Sequence, residues 1–314
     1  MKKVNFFVVG EPKCGTTLLY EYFKEHPDVE VPSRKEPRFF CTDLQSRGDK
    51  LHGFSYYFPI RKLKDYHALW NTDETKIKAE FSPPYLISKE AARNIYKYNT
   101  NAKILAIFRE PVSFLQSMHS QLLTSGSESI KDFKKALEME ANRRKKPPLT
   151  ARFPLALYYS EWIKYSKQLK RYLDYFPKSQ IKVILFEDLK ADNQKIMDEI
   201  CGFLNIKRIK LTEKKVNVRK DVRSVKLAYF FYQSMKLRKI GQKILPLSVR
   251  RKWGELVHKI TLKEAKKKSI DPKLKKELMQ KYKPEMVKLN KLLHKRGLIE
   301  KDKDLIEYWG YDKV

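Results

Sequence analysis

The corner between the first apolar run and the first helix constrains this chain more than any other feature. Asn5 to Val9 is apolar, β-branched and aromatic, and it stops at Gly10. Such a run predicts a buried strand. Glu11-Pro12-Lys13-Cys14-Gly15 then reads as a turn, and Leu18, Leu19, Tyr22 and Phe23 give Thr16 to Lys24 helical periodicity. A strand delivered through such a turn into a helix points free backbone N–H groups and the positive end of the helix dipole at one place. That makes an anion site, most often one for phosphate.

The segment comes within one position of the Walker A pattern, two glycines five apart followed by Lys and Ser/Thr. Gly15 is followed by Thr16, and the lysine lies earlier, at Lys13. In a kinase or ATPase the lysine after the glycine reaches the terminal phosphates, which magnesium bridges. Here the lysine projects from the loop itself, toward whatever extends from the bound phosphate. No carboxylate lies inside the later Lys103–Phe108 strand, and Glu187-Asp188 follows a strand with no other metal signal, so no metal site is expected.

Further along, Ile77–Phe81, Lys103–Phe108 and Ile181–Phe186 read as strands. Helices are expected from Pro111 through Leu123, from Pro154 to Tyr175 as one long amphipathic element, and from Asp192 to Leu204. A basic loop from Lys207 to Arg223 precedes helices near Val225–Ile240 and Pro272–Lys295, while Val29–Asn71 is aromatic and resists assignment. Strands alternating with helices predict an α/β fold with a central parallel sheet and helices on both faces. One domain over residues 1–314 is expected, with an α/β core at 1–205 and the basic loop and C-terminal helices at 206–314 packed on it.

Charge is where composition matters. The chain carries +31 formally, and between Ile206 and Val314 there are 33 Lys/Arg against 12 Asp/Glu. Such a surface attracts polyanions, so a basic polyanion or nucleic-acid binder stays open, as does a kinase with a degenerate loop. No helix-turn-helix, zinc spacing or ribonucleoprotein motif supports specific nucleic-acid reading. A hydrophobic content of 42% excludes a disordered chain. No apolar run reaches the ~18–20 residues of a membrane span. The basic start is followed by too short an apolar run for a signal peptide. Three widely spaced cysteines (Cys14, Cys41, Cys201) suit a reducing compartment, and a cytoplasmic location is expected.

A second constellation is Arg109 after its strand and Ser117 eight residues on, a little over two helical turns away. An Arg fork and a Ser hydroxyl converging at the C-terminal edge of a parallel sheet suit a second phosphate.

Together these segments resemble the sulfotransferases that use 3′-phosphoadenosine 5′-phosphosulfate (PAPS). The family's 5′-phosphosulfate loop, Pro-Lys-x-Gly-Thr-Thr, is similar to Pro12-Lys13-Cys14-Gly15-Thr16-Thr17, and its 3′-phosphate pair to Arg109 and Ser117. Lys35-Glu36-Pro37-Arg38-Phe39-Phe40 resembles a segment of the heparan-sulfate-type branch in which the glutamate is the proposed base. The likeness continues through Tyr158–Leu204 and on to Lys281-Tyr282-Lys283-Pro284 and the closing Tyr308-Trp309. One departure stands out. Members of that branch place a lysine two residues before a proline, but here the segment reads Glu80-Phe81-Ser82-Pro83, so a second active-site lysine is missing.

The resemblance implies a P-loop-nucleotide-kinase-like three-layer sandwich. It also implies metal-free transfer of a sulfuryl group from PAPS to a hydroxyl or amine, with 3′-phosphoadenosine 5′-phosphate (PAP) leaving. Lys13 would offset charge on the leaving nucleotide, and Cys14, Gly15, Thr16, Thr17, Arg109 and Ser117 would hold it. Arg219, Lys220 and Arg223 in the basic loop would cover the 3′-phosphate. Glu36 would take the acceptor's proton, its pKa raised by desolvation beside two phenylalanines. Lys35 and Arg38 are its nearest cations, and His119 is the reserve base. The acceptor is expected to be a small molecule or a saccharide, and the basic surface leaves room for an anionic one. The Phe39–Phe58 stretch and Tyr158-Tyr159 are expected to line its pocket.

Overall fold

The computed structural model describes residues 3–53, 57–71, 76–212, 220–224, 230, 257, 260–264 and 269–314. Five parallel strands form the central sheet: β1 (Phe6–Val8), β2 (Val29–Glu30), β3 (Ile77–Phe81), β4 (Lys103–Phe108) and β5 (Ile181–Leu185), in the spatial order β2-β3-β1-β4-β5. Phe6, Phe7 and Val8 are fully buried, as a strand covered on both faces must be. β1 is the middle strand, with Phe6 in register with Ala79 on one side and Lys103 on the other. Past its end the backbone still bonds to β4, Val9 N to Leu105 O (2.9 Å) and Glu11 N to Ile107 O (3.2 Å). Helices flank the sheet, and the first, Thr16–Glu25, starts where the turn analysis placed it.

The alternating pattern therefore holds, and β3 and β4 match their expected bounds residue for residue. Val29–Asn71 resolves into the edge strand β2 and the helices Thr42–His52 and Leu63–His67, around stacked Phe39 and Tyr66 with Phe40 edge-on to both. One long helix over Pro154–Tyr175 does not form. A 3₁₀ turn (Pro154–Leu157) and two short helices (Tyr159–Trp162, Tyr165–Leu173) replace it. Side chains take over the carbonyls that the breaks release. The Trp162 indole N–H donates to Leu155 O (3.0 Å), and the Gln168 amide donates to Glu161 O (2.9 Å) and Trp162 O (3.2 Å). With those groups satisfied, the breaks cost little and the buried aromatics can face separate neighbours.

Part of the expected basic loop is ordered as strand. β6 (Lys220–Val222) pairs antiparallel with β7 (Leu262–Glu264). Val222 and Leu262 pack with Leu123. The expected helix near Val225–Ile240 lies, apart from residue 230, outside the described residues.

Near the C-terminus, a helix spans Pro272–Arg296. Asp271 caps its start, and Gly297 ends it in the left-handed region at φ 58°. It packs on the Pro111–Thr124 and Tyr165–Leu173 helices. The final residues then return to the sheet edge. Tyr311 OH donates to Glu110 Oε1 (3.0 Å), Trp309 Nε1 to Glu187 Oε2 (3.2 Å) and Tyr308 OH to Asp188 Oδ1 (2.6 Å). The tail thus clasps the segments that follow β4 and β5.

Gly10 is where β1 passes closest to β4. A Cβ there would lie 2.6 Å from the Cβ of Ile107, which sits in a strand and cannot swing away. Gly10→Ala is expected to lower stability by about 1–3 kcal/mol, the usual cost of overpacking. An unchanged urea midpoint would show that the strands part without penalty.

Candidate functional site

The site is assembled at the C-terminal ends of β1, β3 and β4. The chain leaves β1 toward β2 on one side and leaves β4 toward β5 on the other. The crevice between β1 and β4 is therefore the switch point at which open parallel sheets bind ligands. Gly15 begins the first helix in the left-handed region (φ 81°) and brings no side-chain cap, so the first-turn amides face outward for an external acceptor. A Cβ on Gly15 would meet Leu189 Cδ2 at 2.6 Å. Lys13 also sits at positive φ (67°), and its side chain is exposed. Its carbonyl accepts from Arg109 Nη1 (2.9 Å), which ties the two predicted phosphate elements together across the switch point.

Arg109 lies over the Phe186 ring at 4.5 Å, and among the described residues nothing accepts from its buried Nε. Ser117 is half-buried on the Pro111–Thr124 helix, whose first turn is capped by Glu110 through Val112 N (2.9 Å) and Ser113 N (2.7 Å). Cys14 is fully buried, and burial pushes its thiol up well above its usual range, so only its backbone is available to a ligand. Thr16 is buried at the helix start and Thr17 half-buried. Arg219 lies outside the described residues, and of Lys220 only the backbone, in β6, is described. Arg223 is exposed and uses Nε to hold Leu262 O (3.1 Å).

The Lys35–Phe40 segment comes to the same place. The Lys35 ammonium donates to the Thr17 hydroxyl, so a second lysine does reach the loop, from a position that the sequence marked only as a neighbour of Glu36. Burial holds Lys35 below the ordinary lysine range, with Glu36 and Glu21 partly opposing. Glu36 and Arg38 form an ion pair. The Arg38 guanidinium stacks 3.6 Å from the centre of the Tyr57 ring and donates to Tyr57 O (2.8 Å). Desolvation alone would raise the Glu36 carboxyl, as expected from its apolar neighbours. The adjacent Arg38 and Lys35 outweigh that and hold it below the usual carboxylate range. The expected upward shift is thereby reversed, because the two nearest cations turn inward rather than to solvent.

A cavity of about 330 Å³ opens beside Pro12, bounded by Lys35, Glu36, Arg38, Arg152 and Trp162. Its aromatic walls are Tyr57, Phe153 and Trp162. Tyr158 and Tyr159 turn elsewhere, against the expectation: their hydroxyls donate to Arg143 O (3.0 Å) and Glu128 Oε2 (2.9 Å), around a buried Arg143–Glu128 ion pair. Phe39 is occupied in stacking on Tyr66. His119 is no reserve base in this arrangement. It is buried with Nε2 2.8 Å from Ile130 O, outside the cavity lining, and desolvation lowers its pKa. Among the described residues no group of three or more His, Cys, Asp or Glu is placed to hold a metal ion. No described helix is long and apolar enough to cross a membrane.

The corner, the arginine across the switch point and the glutamate beside the loop are joined in a sequence that matches the sulfotransferase domain over residues 3–292, and the chain belongs to that family. Over 206 residues, 63% of its length, it is 27% identical to human heparan sulfate glucosamine 3-O-sulfotransferase 5. It is 26% identical over 202 residues to human bifunctional heparan sulfate N-deacetylase/N-sulfotransferase 3. The matched regions amount to 52% and 22% of those two proteins, respectively. The crystal structure of a sulfotransferase from Alicyclobacillus acidocaldarius superposes with a TM-score of 0.71 at 26% identity, covering 99% of this chain and all of the other.

The reversal at Glu36 is directly testable. Arg38→Met removes the nearer cation while leaving the burial, so the Glu36 pKa is expected to rise, desolvation then being opposed by Lys35 alone of the two. Carboxyl-resolved NMR titration of wild type and variant measures it. An unmoved pKa would mean that the ion pair does not set the ionisation.

Proposed function

We propose that this chain transfers a sulfuryl group from PAPS to a hydroxyl or amine of an acceptor, with a saccharide as the favoured class. The observation that carries the reading is the convergence of Lys35 and Glu36 on the uncapped helix start that follows Lys13, beside an acceptor-sized cavity. The outward amides of Gly15–Thr17 and the orphaned Arg109 Nε are donors in want of an anion, and they suit the two phosphates of the donor nucleotide. PAPS supplies an activated sulfuryl group whose bridging oxygen gains charge as its bond to sulfur breaks.

In this reading the loop amides and the Thr17 hydroxyl hold the 5′-phosphate, while Arg109 and Ser117 hold the 3′-phosphate. Lys13 offsets the charge that develops on the leaving side, and Lys35 adds a second cation from the opposite wall. Preorganised charges of this kind act most strongly where water is excluded. Glu36 receives the acceptor's proton. Its depressed pKa keeps it ionised, at some cost in proton affinity, with Arg38 holding it in place. The heparan sulfate enzymes among the relatives support a saccharide acceptor, and the cationic Arg38 and Arg152 beside aromatic walls suit a sugar that carries acidic groups. The three free, buried cysteines accord with a cytoplasmic site of action.

Lys13→Ala is expected to lower the rate of sulfuryl transfer at least about a hundredfold, as for loss of one charge-stabilising donor. Glu36→Gln is expected to abolish turnover while leaving PAP affinity intact by calorimetry. Near-normal turnover in either variant would remove that residue from the mechanism.

A further inference from the structure

Behind the Lys35–Phe40 segment lies a carboxylate that the proposed chemistry does not use. Glu80, near the end of β3, is fully buried. Three hydroxyls surround it. Tyr66 OH donates to Oε2 (2.5 Å), Ser82 Oγ donates to Oε1 (2.6 Å), and the Tyr85 hydroxyl lies beside the same carboxyl group, its pKa raised by burial and by that group's charge. Two of these hydroxyls are also acceptors for the loop in front. Arg38 N donates to Ser82 Oγ (3.1 Å) and Phe40 N to Tyr85 OH (3.2 Å). The loop's carbonyls are held separately, by the Gln45 amide on Arg38 O (3.0 Å) and Phe39 O (2.9 Å).

We propose that Glu80 is a positioning residue: by drawing the Ser82 and Tyr85 hydroxyl protons inward, it turns their lone pairs toward the Arg38 and Phe40 amides and so fixes the loop that presents Glu36 and Arg38 to the cavity. The reason is chemical. A hydroxyl has one proton to give, and an ionised carboxylate can only accept. While both protons point at Glu80, both oxygens are free to accept from the backbone. An amide in its place would offer a donor on one side, and one hydroxyl would have to reverse.

The loop needs such a hold because it is strained. Glu36 and Arg38 both adopt left-handed backbone conformations, φ 56° and φ 57°, which side-chain-bearing residues keep only where their surroundings over-determine them. Burial pushes the Glu80 carboxyl up to about 7, and the hydroxyl donors oppose that rise by favouring the ionised form.

The inference rests on Glu36 as the proton acceptor, and its test separates the two ideas. Glu80→Gln, assayed above neutral pH, is expected to lower kcat roughly 10–100-fold, the effect of a small misplacement at a reacting centre. PAP affinity by calorimetry should stay within about twofold of wild type, as expected for a residue that positions the loop without touching the nucleotide. Ser82→Ala and Tyr85→Phe should reproduce the kcat loss, and they carry the test if Glu80→Gln fails to fold. Tyr66→Phe removes a hydroxyl that no loop amide uses, so it should cost less. Trypsin cleavage after Arg38 should accelerate in Glu80→Gln whatever the role of Glu36. An unchanged kcat and cleavage rate would overturn the positioning role. Full activity of Glu36→Gln with faster cleavage in Glu80→Gln would instead remove the base and leave the positioning intact.

Discussion

An uncapped helix start, delivered by the middle strand of a parallel sheet, is the constraint on which the rest of this molecule depends. β1 lies between β3 and β4, so the turn that leaves it is walled by both neighbours and faces the crevice where the chain changes direction across the sheet. Gly15 adopts its left-handed conformation without a side chain to compete for the helix amides. Arg109, from the other side of the crevice, pins the loop through the Lys13 carbonyl. These contacts hold a set of backbone donors in place with no side-chain cap among the described residues, which suits an anion site.

Charge around that corner is balanced by neighbours rather than by solvent. Lys35 reaches the Thr17 hydroxyl from the opposite wall, and Glu36 is held ionised by Arg38 despite its burial. The branch that this chain resembles draws a second lysine from the segment where Phe81 stands here. In this chain Lys35, from the connection between β2 and β3, is a second lysine that reaches the loop. The tail contributes too. Trp309 and Tyr311 bond the two glutamates that follow the strands β4 and β5, which couples the last residues of the chain to the edge that carries the site.

Much of this was legible in the sequence, for a physical reason. A strand buried on both faces is mostly apolar, so β1 and β4 announce themselves, and the Gly-Thr-Thr turn marks the helix start locally; β3 shows only through Ile77, Ala79 and Phe81, because it also buries Lys78 and Glu80. The rest depends on partners distant in the chain. The breaks inside Pro154–Tyr175 are stable because Trp162 and Gln168 fold back onto carbonyls, which helical periodicity does not reveal. The downward shift at Glu36 follows from how Arg38 and Lys35 turn, and its apolar neighbours pointed the other way. Tyr158 and Tyr159 look like pocket aromatics until Glu128 and Arg143 claim their hydroxyls.

The most direct measurement is a crystal structure of the protein with PAP bound. The account predicts the 5′-phosphate on the amides of Gly15 to Thr17, Arg109 and Ser117 on the 3′-phosphate, and the Lys13 and Lys35 ammonium groups on the side that faces Glu36. A nucleotide bound away from the β1 corner, or one seated there with both lysines turned to solvent, would contradict it.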